Sequence, residues 1–352
     1  MDIYAEITGI EYEPLLCSDL ESFYYEELGA ALSNETAFML RADSNAQLAL
    51  SWWVSPKRTR SYPYPRVYNT LGFAGKRVTI IPVIKDEGQR GDRDFLQWDT
   101  ISLMSLLCVN VIISYYVDAS RSTRYADKIT DQKFDIEHVT GKVDRLMSYQ
   151  SSALHWNMNQ VENIGEVGLQ ALNAYSAISE RLGVQMHSRT SAERRIDQLR
   201  SGHEEFRNLS RALAQQAQHR ETITVQPKER VTGIKGKLTI KNYLGGYYYL
   251  TCDEVEIHGD EIHLIEAKHT RSARLPSHED IKDGLLKMIL FTNLKHLKVG
   301  DKDYTPVPIL KLTTGAGFNL NSLSHSQRAL LTDLEQEART NGFQVTIKGE
   351  SL

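Results

Sequence analysis

Asp253, Glu266 and Lys268 are the residues of this sequence whose types and spacing best suit a chemical reaction. Glu266 and Lys268 are separated by a single residue, so their side chains would share one face of a β-strand. Asp253 can join them if the chain between folds back as a hairpin. That arrangement would gather two carboxylates and one ammonium group around one small volume.

The residues in between predict such a hairpin. The segments 255–257 and 262–265 are mostly apolar, and Gly259-Asp260 between them is typical of a tight turn joining antiparallel strands. The apolar residues before Glu266 are also those of a central strand. The hairpin would bring Asp253 beside the strand that carries Glu266 and Lys268.

Such a cluster suits metal-assisted hydrolysis of a phosphodiester bond. Mg²⁺ usually takes one or two protein carboxylates, with waters and phosphate oxygens as its other ligands. Asp253 and Glu266 would supply these carboxylates, and Lys268 would orient or deprotonate the attacking water and offset the charge that grows on the phosphate. We therefore expect Mg²⁺ as the cofactor. An ordinary ion pair on a solvated sheet face is the alternative interpretation of the same residues.

The segment resembles the active-site motif of the PD-(D/E)xK nuclease superfamily, in which an acid on one strand is followed by an apolar strand ending in Glu-x-Lys. The matching residues are Asp253 and Glu266-Ala267-Lys268, while Thr251-Cys252 stands where the motif has its proline. We prefer Asp253 to Glu254 and Asp260 as the acid, because it is expected to begin its strand and Asp260 to lie in the turn. The resemblance implies that Asp253, Glu266 and Lys268 are catalytic, and that Asp253 and Glu266 bind the metal.

The elements predicted after the motif agree with this family. A helix over 277–297 with Ser277 as its N-cap, a strand over 306–312 and a helix over 324–340 follow the hairpin. The expected fold class is α/β (α+β), with a restriction-endonuclease-like mixed β-sheet core flanked by helices. A large N-terminal α/β and helical portion would precede that core.

Composition and pattern divide the chain into three expected domains. Residues 1–134 are an N-terminal α/β region and the predicted site of DNA recognition, beginning with a helical segment and containing a strand over 78–84 whose internal Pro82 predicts an edge or a bulge. Residues 135–221 predict long helices that either form a dimer interface or complete the core of the monomer. Residues 222–352 are the predicted nuclease core.

Local basic patches are the candidates for DNA contact, although the net charge is −4 and the pI about 6.3. A proline-rich loop and the residues just after the motif strand supply them, and the alternative is that the loop is merely a solvated basic surface. The predicted DNA-binding residues are Lys57, Arg58, Arg60, Arg66, Arg271 and Arg274.

The remaining sequence features exclude several classes of protein. No run of apolar residues is long enough for a membrane span, and the acidic N-terminus lacks a secretory pattern, so we expect a cytoplasmic location and no membrane partner. Cys17, Cys108 and Cys252 are odd in number and far apart, which argues against a disulfide framework and predicts core or near-core thiols. No P-loop or HExxH motif is present.

The leading interpretation is a type II restriction endonuclease of a restriction-modification system, which hydrolyses double-stranded DNA at specific sequences with Mg²⁺. A palindromic target would be cut by a homodimer, with one active site for each strand. Two alternatives are a repair, recombination or defence nuclease of the same fold, and a non-catalytic DNA-binding protein whose hairpin only carries ion pairs.

Overall fold

The computed structural model describes residues 1–42, 46–57, 63–200, 234–243 and 246–352. The chain divides into two compact units, which we call the motif unit (Met1–Ser18 with Ala212–Leu352) and the central unit (Asp19–Arg211). The predicted mixed α/β class is confirmed, because the motif unit contains a large mixed sheet that carries helices.

The elements are numbered in chain order. The strands are β1 (Asp2–Ile7), β2 (Ser22–Tyr24), β3 (Ala37–Arg41), β4 (Gln47–Trp52), β5 (Lys76–Pro82), β6 (Ile84–Asp86), β7 (Arg93–Phe95), β8 (Val109–Ser114), β9 (Tyr116–Arg121), β10 (Ile129–Phe134), β11 (Ile234–Asn242), β12 (Gly246–His258), β13 (Glu261–His269), β14 (Lys295–Val299), β15 (Lys302–Asp303), β16 (Thr305–Thr313), β17 (Gln344–Ile347) and β18 (Glu350–Ser351). The α-helices are α1 (Leu28–Asn34), α2 (Pro63–Tyr68), α3 (Trp98–Leu106), α4 (Ile136–Met147), α5 (Ala153–Glu162), α6 (Ile164–Leu182), α7 (Arg189–Arg200), α8 (His278–Phe291) and α9 (His325–Asn341).

The sheet of the motif unit has the strand order β15-β14-β1-β11-β12-β13-β16-β17-β18. Strand β12 runs antiparallel to both of its neighbours, β11 and β13, whereas β13, β16 and β17 are parallel. Parallel neighbours require a crossover, which α8 and α9 provide by packing on the sheet. Consequently β13, the strand of the Glu-x-Lys motif, lies inside the sheet with a partner on each side.

The first residues of the chain form a strand, so the predicted helical start was wrong. Ile3, Ala5 and Ile7 are buried and alternate with more exposed residues, which is the period of a β-strand. β1 pairs in parallel with β11, from which it is separated by more than half of the chain. These few residues contain no local pattern that predicts pairing with β11.

A buried glutamate attaches the rest of the N-terminal segment to the motif unit. Glu337 of α9 accepts hydrogen bonds from the Tyr12 hydroxyl at 2.7 Å and from the backbone N–H groups of Leu15 and Leu16 at 2.8 and 3.0 Å. Met1–Ser18 therefore lies with the C-terminal residues and not with the rest of segment 1–134, which corrects the predicted domain boundary.

Helix α8 begins as predicted and ends earlier. The Ser277 side chain accepts from the N–H of Asp280, whose carboxylate in turn accepts from the N–H of Ser277, a capping box. The helix ends at Phe291 and not at 297, because Lys295–Val299 forms β14 and pairs with β1. The predicted strand over 306–312 and helix over 324–340 are confirmed as β16 and α9.

The central unit contains a five-stranded sheet of order β2-β3-β4-β5-β8. β5 has a partner on each side, so the prediction that Pro82 marks an edge or a bulge was wrong. Pro82 is the last residue of β5 and lies beyond Ile80, the last residue that pairs with β4, so its missing N–H interrupts no ladder on that side.

Helices α4 to α7 belong to this same unit, so the predicted boundary between 134 and 135 does not separate two compact bodies. Asn157 of α5 accepts from the N–H of Val111 at 2.6 Å and donates to the carbonyl of Val109 at 3.0 Å. α5 thereby satisfies backbone groups of β8 at the edge of the sheet. Val139, Val143 and Trp156 join the apolar core that the sheet buries.

The prediction of core or near-core thiols is correct for two of the three cysteines. Cys252 is buried and Cys17 half-buried as expected, whereas Cys108 is exposed in a left-handed turn with φ +54° after α3, so that part of the prediction was wrong. Within the described ranges, every helix is too short or too polar to cross a lipid bilayer.

Candidate active site on the β12–β13 hairpin

The predicted hairpin is present. Residues Val255 and Ile257 of β12 lie opposite Leu264 and Ile262 of β13. Gly259 adopts φ +65°, a conformation that glycine reaches without a steric cost and that a tight turn requires. β12 begins at Gly246, so Asp253 lies within its strand and not at the start as predicted.

The strand register places the three predicted catalytic residues together. Glu254 pairs with Ile265, which sets Asp253 opposite Glu266 on the other face of the hairpin. Asp253 Oδ2 accepts a hydrogen bond from the N–H of Ala267 at 2.9 Å. Asp253 therefore borders the strand segment that carries Glu266 and Lys268.

Glu266 is the centre of this group and is only 1% exposed. Its Oε1 lies 2.8 Å from Nζ of Lys268, and its Oε2 lies 2.6 Å from Nζ of Lys287. Lys268 also donates to Oδ2 of Asp283 at 2.5 Å. We call these five residues, Asp253, Glu266, Lys268, Asp283 and Lys287, the carboxylate–lysine cluster.

Sequence reasoning missed Asp283 and Lys287, which α8 contributes. They are four residues apart and so occupy one side of the helix. A Cβ atom on Gly284 would lie 3.1 Å from Cε of Lys268 and 2.6 Å from a methyl carbon of Leu310, so the glycine allows α8 to approach β13 closely. The signal that could have found them is an Asp–Lys pair beside a glycine, in the first helix after the motif.

Electrostatics keep Glu266, Lys268 and Lys287 ionised. Burial alone would raise the pKa of Glu266, but the charges of Lys268 and Lys287 and their hydrogen bonds hold that pKa below its ordinary value. Burial opposes the charged form of Lys268, yet Glu266 and Asp283 raise the pKa of Lys268 overall. Glu266 likewise raises the pKa of Lys287. At neutral pH the site thus contains a carboxylate between two ammonium ions.

The donor set fits a hard cation. Three carboxylates face two lysines, so the cluster has more carboxylates than its ammonium groups neutralise. Asp253 and Glu266 offer two carboxylates from neighbouring strands, and Mg²⁺ is usually bound through one or two protein carboxylates. The two lysines contact the oxygens of Glu266, each of which has a second lone pair. Asp253 and Glu266 are therefore the residues that would hold the ion.

The predicted DNA-binding residues fall into different settings. Arg271 and Arg274 are exposed after β13, and Arg271 lines a cleft of about 690 Å³ together with His269 and Lys348. Arg66 donates to the carbonyl of Trp52 at 2.9 Å and lies over its ring at 4.5 Å. Lys57 is half-buried after β4. Arg58 and Arg60 lie outside the described residues.

No protein-family model, curated protein or solved structure matches this chain.

Proposed function

We propose that this protein is a Mg²⁺-dependent endonuclease that hydrolyses double-stranded DNA, with Asp253, Glu266 and Lys268 as its catalytic residues. The observation that carries the proposal is the placement of these three side chains on one face of the β12–β13 hairpin, within a cluster that has more carboxylates than lysines. Their spacing in the sequence resembles the PD-(D/E)xK nuclease motif, and the parallel strand β16 on the far side of β13 supports a related core.

Lys268 would act in this reaction as a fixed positive charge. Its contacts with Glu266 and Asp283 raise its pKa, so the ammonium form dominates at neutral pH and a role as the proton acceptor is disfavoured. A cation held beside the reacting phosphate stabilises the negative charge that grows on it. Bound Mg²⁺ would polarise the phosphate and lower the pKa of a water ligand. Glu266 holds both lysines in position.

Within this class we infer a type II restriction endonuclease that acts as a homodimer. The chain has ample residues outside the motif unit for base recognition, and Arg271 and Arg274 follow the motif strand closely enough to contact flanking phosphates. Discrete fragments from plasmid DNA would support cleavage at a specific sequence. Products that depend on nicks, ends or junctions would support a repair, recombination or defence nuclease.

The decisive experiment compares two buried glutamates of the same hairpin. Glu266→Gln should abolish Mg²⁺-dependent cleavage and leave DNA binding intact, because phosphate contacts are made by other residues. Glu254→Gln is the matched control, since Glu254 is also buried and paired with a lysine, but on the opposite face. Asp253→Asn should behave like Glu266→Gln. Equal activity in the Glu266→Gln and Glu254→Gln proteins would contradict the proposed site.

A non-catalytic role is the second candidate, and one observation favours it. Both oxygens of Glu266 are paired with lysines, as in an ion-pair network that only joins α8 to the sheet. In that case the purified protein would bind DNA without cutting it in the presence of Mg²⁺ or Mn²⁺. Glu266→Gln would then change the stability of the protein and nothing else.

A further inference from the structure

A second group of metal-ligating side chains lies near the turn of the same hairpin, outside the carboxylate–lysine cluster. Glu256 and His258 belong to β12 and His263 to β13. One ligand atom from each of the three side chains lies within 4.8 Å of the others. The proposed reaction uses none of them.

The strand register explains why these side chains meet. Glu256 and His258 are two residues apart and share a face, and Glu256 is directly opposite His263. Nε2 of His258 lies 3.1 Å from a carboxylate oxygen of Glu256, and the two imidazole rings are 4.6 Å apart between centroids. Successive side chains of a strand point to opposite faces, so residues 254, 256 and 258 lie on one face of β12 and Asp253 on the other. This group is therefore on the face opposite the carboxylate–lysine cluster.

The chemistry of the donors selects the ion. Two imidazoles and one carboxylate suit a borderline transition metal such as Zn²⁺, whereas Mg²⁺ prefers oxygen ligands and its own waters. Zn–N and Zn–O bonds of about 2.0–2.2 Å put tetrahedral ligands about 3.3 Å apart, so the present spacing needs only modest side-chain rotation. The side chains of His258 and Glu256 are 57% and 43% exposed, which leaves them free to make it.

We propose that Glu256, His258 and His263 form a Zn²⁺ site that joins β12 to β13. Glu261 has a carboxylate oxygen 3.9 Å from Nε2 of His263 and would supply the fourth ligand, a position that water would otherwise occupy. The ion would tie together the two strands that carry Asp253 and Glu266. The site requires no nuclease activity and is separate from the proposed Mg²⁺ site.

The test is a zinc titration of the untagged full-length protein by calorimetry, with the His258→Asn/His263→Asn double variant in parallel. The wild type should bind one more equivalent of Zn²⁺ than the double variant, and each single variant should lose about tenfold or more in affinity, since even indirect partners of metal ligands are worth that much. His296→Asn is the matched control. It changes another exposed histidine of the motif unit, at φ +49°, a conformation that asparagine tolerates.

Two further readouts make the result unambiguous. Zn²⁺ should raise the melting temperature of the wild type and of His296→Asn but not of the double variant, because a ligand of the native state stabilises it. Excess Mg²⁺ should not displace the bound ion. Circular dichroism without metal checks that the double variant is folded. Equal zinc stoichiometry in the wild type and the double variant, or displacement by Mg²⁺, would overturn the proposal.

Discussion

The two faces of the β12–β13 hairpin both bury a glutamate against a lysine, yet they differ in what surrounds the pair. Glu254 is 0% exposed and lies 2.6 Å from Lys311. On the other face Glu266 is 1% exposed and pairs with two lysines, while Asp253 and Asp283 bring further carboxylates. Burial and ion pairing are thus common to both faces, and the two further carboxylates that join the buried pair, Asp253 and Asp283, distinguish the candidate site.

This difference matters because buried ion pairs are weak evidence for function. Removing one member of a buried pair commonly costs about 3–5 kcal/mol of stability, whichever face it is on, since the partner charge is left without compensation. Loss of stability is therefore expected on both faces. Loss of cleavage with retained DNA binding is expected only from the face of the carboxylate–lysine cluster.

Beyond the glutamate variants, the largest effect that would sharpen this contrast is expected from the lysines. Lys268→Ala should slow DNA cleavage by about a hundredfold to a thousandfold, the usual contribution of one positioned electrostatic group. Lys311→Met removes the lysine of the other face and should lower stability while cleavage by the folded protein stays near the wild-type rate. Single-turnover cleavage assays with saturating protein measure the cleavage rates of both variants. A fall of less than threefold in Lys268→Ala would make Lys268 a structural residue.

A smaller effect is expected from the helix that covers the cluster. Gly284→Ala places a methyl group 2.6 Å from Leu310 Cδ1 and 3.1 Å from Lys268 Cε, so α8 or these side chains must shift. Overpacking of this kind costs about 1–3 kcal/mol, and the shift of Lys268 should reduce cleavage by about tenfold. The control is Gly141→Ala in α4, where nothing lies within 4 Å and the higher helix propensity of alanine should slightly raise stability.

Urea unfolding and cleavage assays of Gly284→Ala and Gly141→Ala test this prediction. Gly284→Ala should be impaired in both measurements and Gly141→Ala in neither. If Gly284→Ala retained full activity and stability, close packing of α8 on β13 would not be what positions Lys268.

The smallest effect concerns pH. The pKa of Glu266 is depressed in the folded state, so its contribution to stability is present above the unfolded-state pKa of about 4.3 and is lost as the pH falls through the depressed value. The pKa values of Lys268 and Lys287 are raised, so their contributions are present below about 10.4 and are lost only at still higher pH. Between these two pH limits, the contribution of Glu266, Lys268 and Lys287 to the free energy of unfolding should be constant.

The measurement is the difference in unfolding free energy between the wild type and Glu266→Gln, followed by urea denaturation from about pH 3.5 to about pH 9. The difference should be flat between about pH 6 and 9 and should shrink as the pH falls below about 4. A steady decline between pH 6 and 9 would mean that a charge of the cluster titrates near neutrality, contrary to these pKa directions.

The candidate site was only partly predictable from the sequence. The hairpin followed from alternation and from Gly259, and these local features also assigned Glu266 and Lys268 to one face. Asp283 and Lys287 did not follow, because their contacts depend on where α8 lies across the sheet. The DNA-binding and dimer predictions concern surfaces whose partners are other molecules, and they stay predictions.

By itself the sequence determined the local features of this protein. Ser277 begins a helix, Gly183 and Gly342 end helices in the left-handed conformation, and the alternation in β13 separates its two faces. Caps, turns and alternation depend on neighbouring residues, so they can be deduced from a few positions.

Only the tertiary structure decided the remainder. It placed β1 between β14 and β11, and it gave Glu266 a second lysine and Lys268 a second carboxylate. It also set the pKa directions of these groups, because desolvation and Coulomb interactions depend on distances between atoms that are remote in the sequence.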